Sequence, residues 1–493
     1  MTHYSLFIDG KSVDTDETYD VVSPGDGTVI ATLAKGGTAE VDAAVEAAAA
    51  AFASSGWRET PMHERAAVID RAADAIEARA EEISLLASRE NGTPVRLAQG
   101  LSVGFPVMHI RYFADLARRH VTDQPTMVSG SVVGIIRREP IGVVAGIVPW
   151  NFPLLLTVWK SIPAIAAGNS VVLKADEKTP STALILAEVL KAAGLPDGVF
   201  NVITGDGAEV GGHLTKHPKV RKVSFTGSTA TGRTVMANAA ERVKKVTMEL
   251  GGKGANIVLP DADLDLAVDG SLWAFLVHAG QACESGTRLF VHRTIYREFV
   301  DRLVQRASQL TIGDPTDMST DIGPLMNRAQ RERVEGFIDS GKKDGATVAF
   351  QAELPADLNR EGMWVPPTIF TDVTPDMKIT TEEIFGPVVS VMAYDDIDAV
   401  VAEANTSEYG LSAGVWTTDY TVAMDLAHRL EAGTVWINDW HALSGQLPFG
   451  GVKQSGFGRE MGPNAINEYT NEKSIAIDYS GRDARAAWGL TIP

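Results

Sequence analysis

From about residue 141 onward, short apolar runs alternate with longer helical stretches that close on Gly or Pro. "IGVVAGIVPW" (141–150) predicts a strand. "PLLLTVWKSIPAIAAG" (153–168) predicts a helix with Leu155, Val158, Trp159 and Ile162 on one face. "SVVLKAD" is a short apolar strand, and "PSTALILAEVLKAAGLP" a helix that stops at Gly194 and Pro196. "GVFNVITG" is a further strand, followed by a short helix in "AEVGGHLTKHP". "VRKVSFTG" is a strand that runs into the helix "STATGRTVMANAAER", and "VKKVTMELGG" is the next strand. Repeated strand–helix units with wholly apolar strands imply a parallel sheet covered by helices on both faces. Such sheets bind ligands at the carboxyl ends of their strands.

A second series follows Gly252. "GANIVLP", "TRLFVHR" and "FGPVVSVMAY" read as strands, and "DLDLAVDGSLWAFLVHAG" as a long helix between the first two. A site is expected in the cleft between the two units. The run Ile141–Trp159 is long and apolar enough to suggest a membrane span. Pro149, Asn151 and Pro153 interrupt its centre, so it reads as strand, tight turn and helix.

Composition narrows the class. At 45% hydrophobic and 22% charged, the chain is that of a soluble globular protein, and 493 residues call for more than one domain. Lys and Arg number 44 against 63 Asp and Glu, a formal charge of −19. That charge repels phosphate backbones, and no basic run offers nucleic acid a footing. The start, "MTHYSLFIDGK", lacks a basic segment followed by an apolar one, so no signal peptide is expected. One cysteine cannot form an internal disulfide, which fits a reducing cytoplasm.

That cysteine, Cys283, lies in "GQACESGTR". A structural thiol packs like a small hydrophobe. Here the neighbours are Gln281, Glu284, Ser285 and two glycines, which suits a loop bending around something; a reactive thiol and an inert one both remain open. Two Gly-rich turns follow strands: "TGDGAEVGG", with Gly205 and Gly207, and "FTGSTATGR", with Gly227 and Gly232. Neither has the usual dinucleotide spacing. Together they allow an anion on a helix N-terminus, with Ser228 near its start. In "LKADE", Lys174 and Glu177 could reach a ribose or form a surface pair; a carboxylate there favours NAD over NADP.

Six motifs then stand in order between Pro149 and Glu460: "PWNFP", "FTGSTATG", "MELGGK", "GQAC", "EEIFGPV" and "PFGGVKQSGFGRE". With them the chain closely resembles the aldehyde dehydrogenase superfamily, from "FIDGK" near one end to "EYTNEKSIAI" near the other. The resemblance implies two Rossmann-like open parallel-sheet domains and a small β oligomerisation arm. The cofactor-binding domain would take 1–120 and 141–251, the catalytic domain 252–450, and the arm 121–140 and 471–493. Cys283 matches the family nucleophile, Glu249 the general base and Asn151 the oxyanion donor; Lys160 matches a lysine near the site. The NAD contacts implied are Lys174 and Glu177 at the adenosine ribose, Gly227 and Ser228 at the pyrophosphate, and Glu383 and Phe385 at the nicotinamide. Ile147, Pro149, Trp150, Gly207, Phe225, Thr226 and Gly251 would line the same site. No metal is implied.

The implied chemistry needs these residue types. A thiolate adds to the aldehyde, giving a thiohemiacetal. Asn151 and the Cys283 N–H stabilise its oxyanion. Hydride leaves for NAD, and Glu249 activates water to hydrolyse the thioester. A CoA-acylating relative would not need Glu249, and a non-catalytic NAD-binding relative would need none of the three.

The chain departs from the family pattern at four positions: Gly254 and Ala255 after "ELGGK", His278 for the usual Asn, and Glu284 for the usual small residue after the nucleophile. His278 is expected to be structural. A carboxylate at Glu284 would raise the thiol pKa and move the optimum to more alkaline pH. The family pattern lines the substrate funnel with Phe152, Leu156, Trp159, Glu284, Trp440, Leu443 and Phe449. That set suits a hydrophobic aliphatic, terpenoid or aromatic aldehyde, and His441 has no assigned place. A homodimer or homotetramer in the cytoplasm is expected.

Overall fold

The computed structural model describes residues 2–492. Among them no helix is long and apolar enough to cross a membrane. The parallel strands of the two large sheets are numbered β1–β11 along the chain. In the first sheet they are β1 (Val143–Ile147), β2 (Ser170–Lys174), β3 (Phe200–Ile203), β4 (Val220–Thr226) and β5 (Lys245–Glu249), in the order β5-β4-β1-β2-β3. β1, β2 and β3 are buried at every residue, because helices cover both faces. The order reverses at β1, which pairs with β2 on one side and β4 on the other. A crevice therefore opens at the carboxyl ends of β1 and β4.

The sheet is mixed at its edges, beyond what the strand pattern predicts. The hairpin Leu6–Ile8/Lys11–Val13 joins antiparallel to β3, and Gly456–Phe457 joins antiparallel to β5. Phe449, Met461, Ile466 and Tyr469 pack into the first sheet's core, so the chain returns to it after the second sheet.

The second sheet holds β6 (Ala255–Val258), β7 (Arg288–His292), β8 (Thr368–Thr371), β9 (Val388–Tyr394), β10 (Ser412–Trp416) and β11 (Thr434–Ile437). Their order is β8-β9-β7-β6-β10-β11, with the antiparallel strand Thr347–Gln351 outside β8. Its amino ends meet the carboxyl ends of the first sheet: the loop before β6 carries Gly251 and Gly252, and the loop before β9 carries Glu383. Gly252 N–H donates to Glu383 Oε1 at 3.0 Å.

Two helices differ from the pattern reading. Pro153–Ala166 is buried at all its residues, not along one face, because it lies between β1 and further helices. The helix expected through Gly280 ends at Leu276. His278, Ala279 and Gly280 then take φ of 50, 52 and 74°, a left-handed turn that only glycine enters without strain. This turn delivers the next residues into the cleft. A Cβ on Gly280 would lie 2.3 Å from the Gly386 carbonyl oxygen, so the turn also requires close backbone approach.

A separate antiparallel sheet joins Asp123–Met127, Val132–Pro140 and Thr470–Asp478, with the middle strand between the others. It stands out from the body, and both outer strands present unpaired edges, the feature that invites pairing with another chain.

Candidate active site

Three segments converge on one cavity. Asn151 follows β1, Glu249 ends β5, and Cys283 follows the left-handed turn before β7. All three line the cavity, with Glu249 2% and Asn151 4% exposed. Asn151 Nδ2 donates to the Gln281 carbonyl at 2.9 Å, which ties the first sheet to the nucleophile loop. Its backbone carbonyl accepts from Asn91 Nδ2 at 3.0 Å, so the donor is held from both sides. Buried polar atoms normally find partners. Asn151 Oδ1, Glu249 Oε1, Thr226 Oγ1 and His441 Nε2 have none among the described residues, and all four residues line this cavity. A site built to receive a polar ligand accounts for that cluster.

Burial pushes the Cys283 thiol well above its ordinary value, and the charges of Glu284 and Glu249 add to the shift. The thiol is therefore neutral at rest. Burial also raises Glu249 well above the carboxylate range; Glu460 adds to this and Lys160 opposes it. Lys160 itself is sealed away from the cavity, paired with Glu460 and 3.4 Å from Ser224 Oγ. Its reach to Glu249 is through charge, not contact. Glu460 stands in the quoted "GFGRE" but carried no assigned role.

Most of the cavity wall is apolar. Phe152, Leu156, Trp159, Leu443 and Phe449 lie on it, and Leu101, Phe105, Leu155 and Val277 join them. Among the described residues no Arg or Lys lines it. Trp159 turns its N–H outward to His109 Nδ1 at 3.0 Å, so the cavity sees only ring carbon. Burial lowers His109 to about 4, leaving a neutral acceptor.

Trp440 is not on the wall. It is buried behind it, where its N–H donates to the Glu284 carbonyl at 2.9 Å. A Cβ on Gly254, Gly286 or Gly414 would come within 3.1 Å of the indole. Gly254, one of the departures, thus makes room for Trp440. The residue on the wall is the next one, His441. Its φ of 60° puts it in the left-handed region, within a bend of the chain. Glu284 is also on the wall, and its Oε1 lies 3.0 Å from His441 Nδ1. His278 is structural in its setting: Nδ1 lies 2.9 Å from Thr93 Oγ1, and burial lowers it to about 3.

The residues matched to cofactor contacts sit around the crevice of the first sheet. Ile147, Pro149 and Trp150 end β1 and the turn after it; Phe225, Thr226, Gly227 and Ser228 end β4. Ser228 caps the helix Thr229–Ala240, its Oγ accepting from Thr231 N–H at 3.2 Å. The turn at Gly207 differs: Asp206 already accepts from the Ala208 and Glu209 amides, at 2.8 and 3.0 Å. Lys174 Nζ lies 3.2 Å from Glu177 Oε2 at the end of β2. Burial works against the charge of Glu177, but Lys174 and Lys178 outweigh it and hold the carboxyl low. Across the cleft, Glu383 lies over Gly251, where a Cβ would meet Oε2 at 2.5 Å. The Trp150 and Phe385 rings meet edge to face at 5.5 Å.

Residues 11–475 match the profile of the Aldehyde dehydrogenase family. A mitochondrial aldehyde dehydrogenase of Leishmania tarentolae is 45% identical over 473 residues, 95% of this chain and 94% of its own. The NAD+ complex of an aldehyde dehydrogenase from Bacillus cereus superposes with a TM-score of 0.94 at 42% identity, covering 97% of both chains. A betaine aldehyde dehydrogenase of Staphylococcus aureus, also solved with NAD+, superposes with a TM-score of 0.94 at 35% identity, covering 98% of this chain and 99% of its own. With the fold, the cleft and these likenesses together, the chain belongs to the aldehyde dehydrogenase family.

Proposed function

We propose that this protein oxidises an apolar aldehyde to its carboxylic acid with NAD+, through a covalent thioester on Cys283. One observation carries the reading: a nucleophile, an amide donor and a carboxylate from three separate segments share a mostly apolar cavity. Cys283 attacks the carbonyl carbon, and the Asn151 N–H with the Cys283 backbone N–H stabilises the oxyanion. When bound, NAD+ supplies the hydride acceptor. Glu249 then takes a proton from the water that hydrolyses the thioester. A carboxylate in this place favours water over CoA as the final acceptor, since transfer to CoA has no need of that base.

The chain offers a fitting cradle for the dinucleotide. Lys174 and the ionised Glu177 suit a ribose with a free 2′-hydroxyl, which favours NAD over NADP. The helix N-terminus at Gly227 and Ser228 suits the pyrophosphate. The turn at Gly207 is a poorer anion site, because Asp206 has taken its amides. Glu383 and Phe385 stand where the nicotinamide end would lie, near the nucleophile loop. The single cysteine supports a reducing compartment such as the cytoplasm.

Asn151→Ala is expected to lower kcat by about 10²–10³-fold with little change in NAD+ affinity, the usual cost of one oxyanion donor. Stopped-flow NADH formation beside an NAD+ titration checks both parts. Substrate class is tested by kcat/KM on a panel. Octanal and benzaldehyde are expected to exceed succinic semialdehyde by at least about tenfold, because no cation on the wall offsets burial of the second carboxylate. Equal values would end the apolar reading.

A further inference from the structure

Cys283 is the first member of a short chain of polar groups. Its Sγ donates to Glu284 Oε2 at 3.1 Å, and Glu284 Oε1 lies 3.0 Å from His441 Nδ1. The Glu284 and His441 side chains are 7% and 5% exposed, so the carboxylate is shielded from bulk water. The backbone of Glu284 is pinned as well: its carbonyl accepts from Trp440 Nε1 at 2.9 Å and Ser412 Oγ at 3.0 Å. His441 is held at φ 60°, a costly conformation for a residue with a side chain. None of this is needed to pack a loop, and the usual family residue after the nucleophile is small.

We propose that Glu284, oriented by His441, is the base that takes the proton of Cys283 as the thiol adds to the aldehyde. This inference rests on the thiol-addition reading above. In the step, the sulfur lone pair forms the C–S bond and the carbonyl π pair moves onto oxygen. The S–H bond breaks, and its proton passes to Glu284 Oε2. One negative charge leaves the carboxylate and one appears on the adduct oxygen, so charge balances. The oxygen pair re-forms the carbonyl as hydride departs in the oxidation already proposed. The proton on Glu284 is the one that the overall reaction releases.

The site contains two carboxylates, and their surroundings set them apart. Glu249 is raised by burial and by the charges of Glu460 and Glu284, against Lys160 and Arg459. Burial also opposes the charge of Glu284, but hydrogen bonds from His441 and Cys283 outweigh it and leave that carboxyl lowered. Glu284 thus ionises at lower pH than Glu249. Paired groups pushed apart in this way mark separate acid–base roles. The titratable groups facing the thiol are Glu284, Glu249 and Glu383. Those facing Glu284 are His441 and Cys283, with Glu249 across the cavity.

A charge-only role predicts the opposite sign. If Glu284 merely repels the thiolate, its removal should make Cys283 more reactive at neutral pH. If it is the base, removal should make Cys283 less reactive. The test is the rate of Cys283 alkylation by iodoacetamide against pH, on the full chain without aldehyde or NAD+. Wild type is expected to vary little between about pH 6 and 8, because an internal base assists each event. Glu284→Gln is expected to react about 10²-fold more slowly near pH 7 and to climb about tenfold per pH unit, as only the thiolate then reacts. Glu284→Asp should restore part of the neutral rate. Glu284→Gln reacting at or above the wild-type rate overturns the proposal. Should that variant fail to fold, His441→Gln carries the test. Loss of the imidazole should move the acid limb of the profile to higher pH, and an unmoved limb overturns the proposal equally. If no aldehyde is oxidised, the proposed function fails, and the alkylation profiles still decide the role of Glu284.

Discussion

Cys283→Ala is expected to reduce aldehyde-dependent NADH formation to background, a loss on the order of 10⁶-fold by comparison with removal of other covalent nucleophiles. The size follows from the proposed chemistry. An aldehyde carbonyl gives up hydride only after its carbon becomes tetrahedral, and the thiol forms that adduct. No second cysteine exists to replace it. Ser285, two residues on, is buried but lies off the cavity wall. The change removes one sulfur atom, and Glu284 keeps its bond to His441. The fold should therefore survive, and NAD+ affinity should stay within about twofold, as the cofactor cradle is built from other residues. NADH absorbance, an NAD+ titration by tryptophan fluorescence and a melting curve test the three parts. Residual turnover above about 1% of wild type would remove Cys283 from the nucleophile's role.

Much of the frame was legible in the chain. β1, β2 and β3 are buried at every residue, and such runs stand out between Gly and Pro breaks. Asn151, Gly227 and Glu249 lie at or just beyond the carboxyl ends of β1, β4 and β5, but the ordered motifs, not the strand pattern, singled them out. What stayed hidden depends on contacts between distant segments. Glu284 and His441 are 157 residues apart, and neither strand pattern nor motif order pairs them. Trp440 was expected on the wall by the family pattern. In the structure His441 lines the cavity and Trp440 is buried behind it. A helical pattern continues to Gly280, but three left-handed residues end the helix early. Their local cost is met by contacts that only the folded chain supplies. The antiparallel edges of the first sheet arrive from residues 6–13 and 456–457, far from the strands that they join.

Glu249→Gln is expected to separate the two halves of the reaction. The first turnover should still release close to one equivalent of NADH per site, while the steady rate falls by about 10²–10⁴-fold, the usual range for a lost general base. Gln matches the size of Glu, so the cavity keeps its shape. It cannot accept a proton from water, so the thioester should accumulate on Cys283. The pH dependence follows from the raised carboxyl. Burial keeps Glu249 protonated well above the usual carboxylate range, and only its ionised form can act as base. The wild-type steady rate should therefore rise with pH through that ionisation, and the variant should lose this limb. Rapid-quench mass measurement of the acyl-enzyme, beside stopped-flow NADH traces, reads both effects. An added nucleophile such as hydroxylamine, which attacks thioesters without a base, should restore part of the variant's turnover. If burst and steady rate fall together, Glu249 serves the addition step as well. The division of labour between Glu284 and Glu249 would then be wrong, because a site with one working base cannot lose it and keep its first turnover.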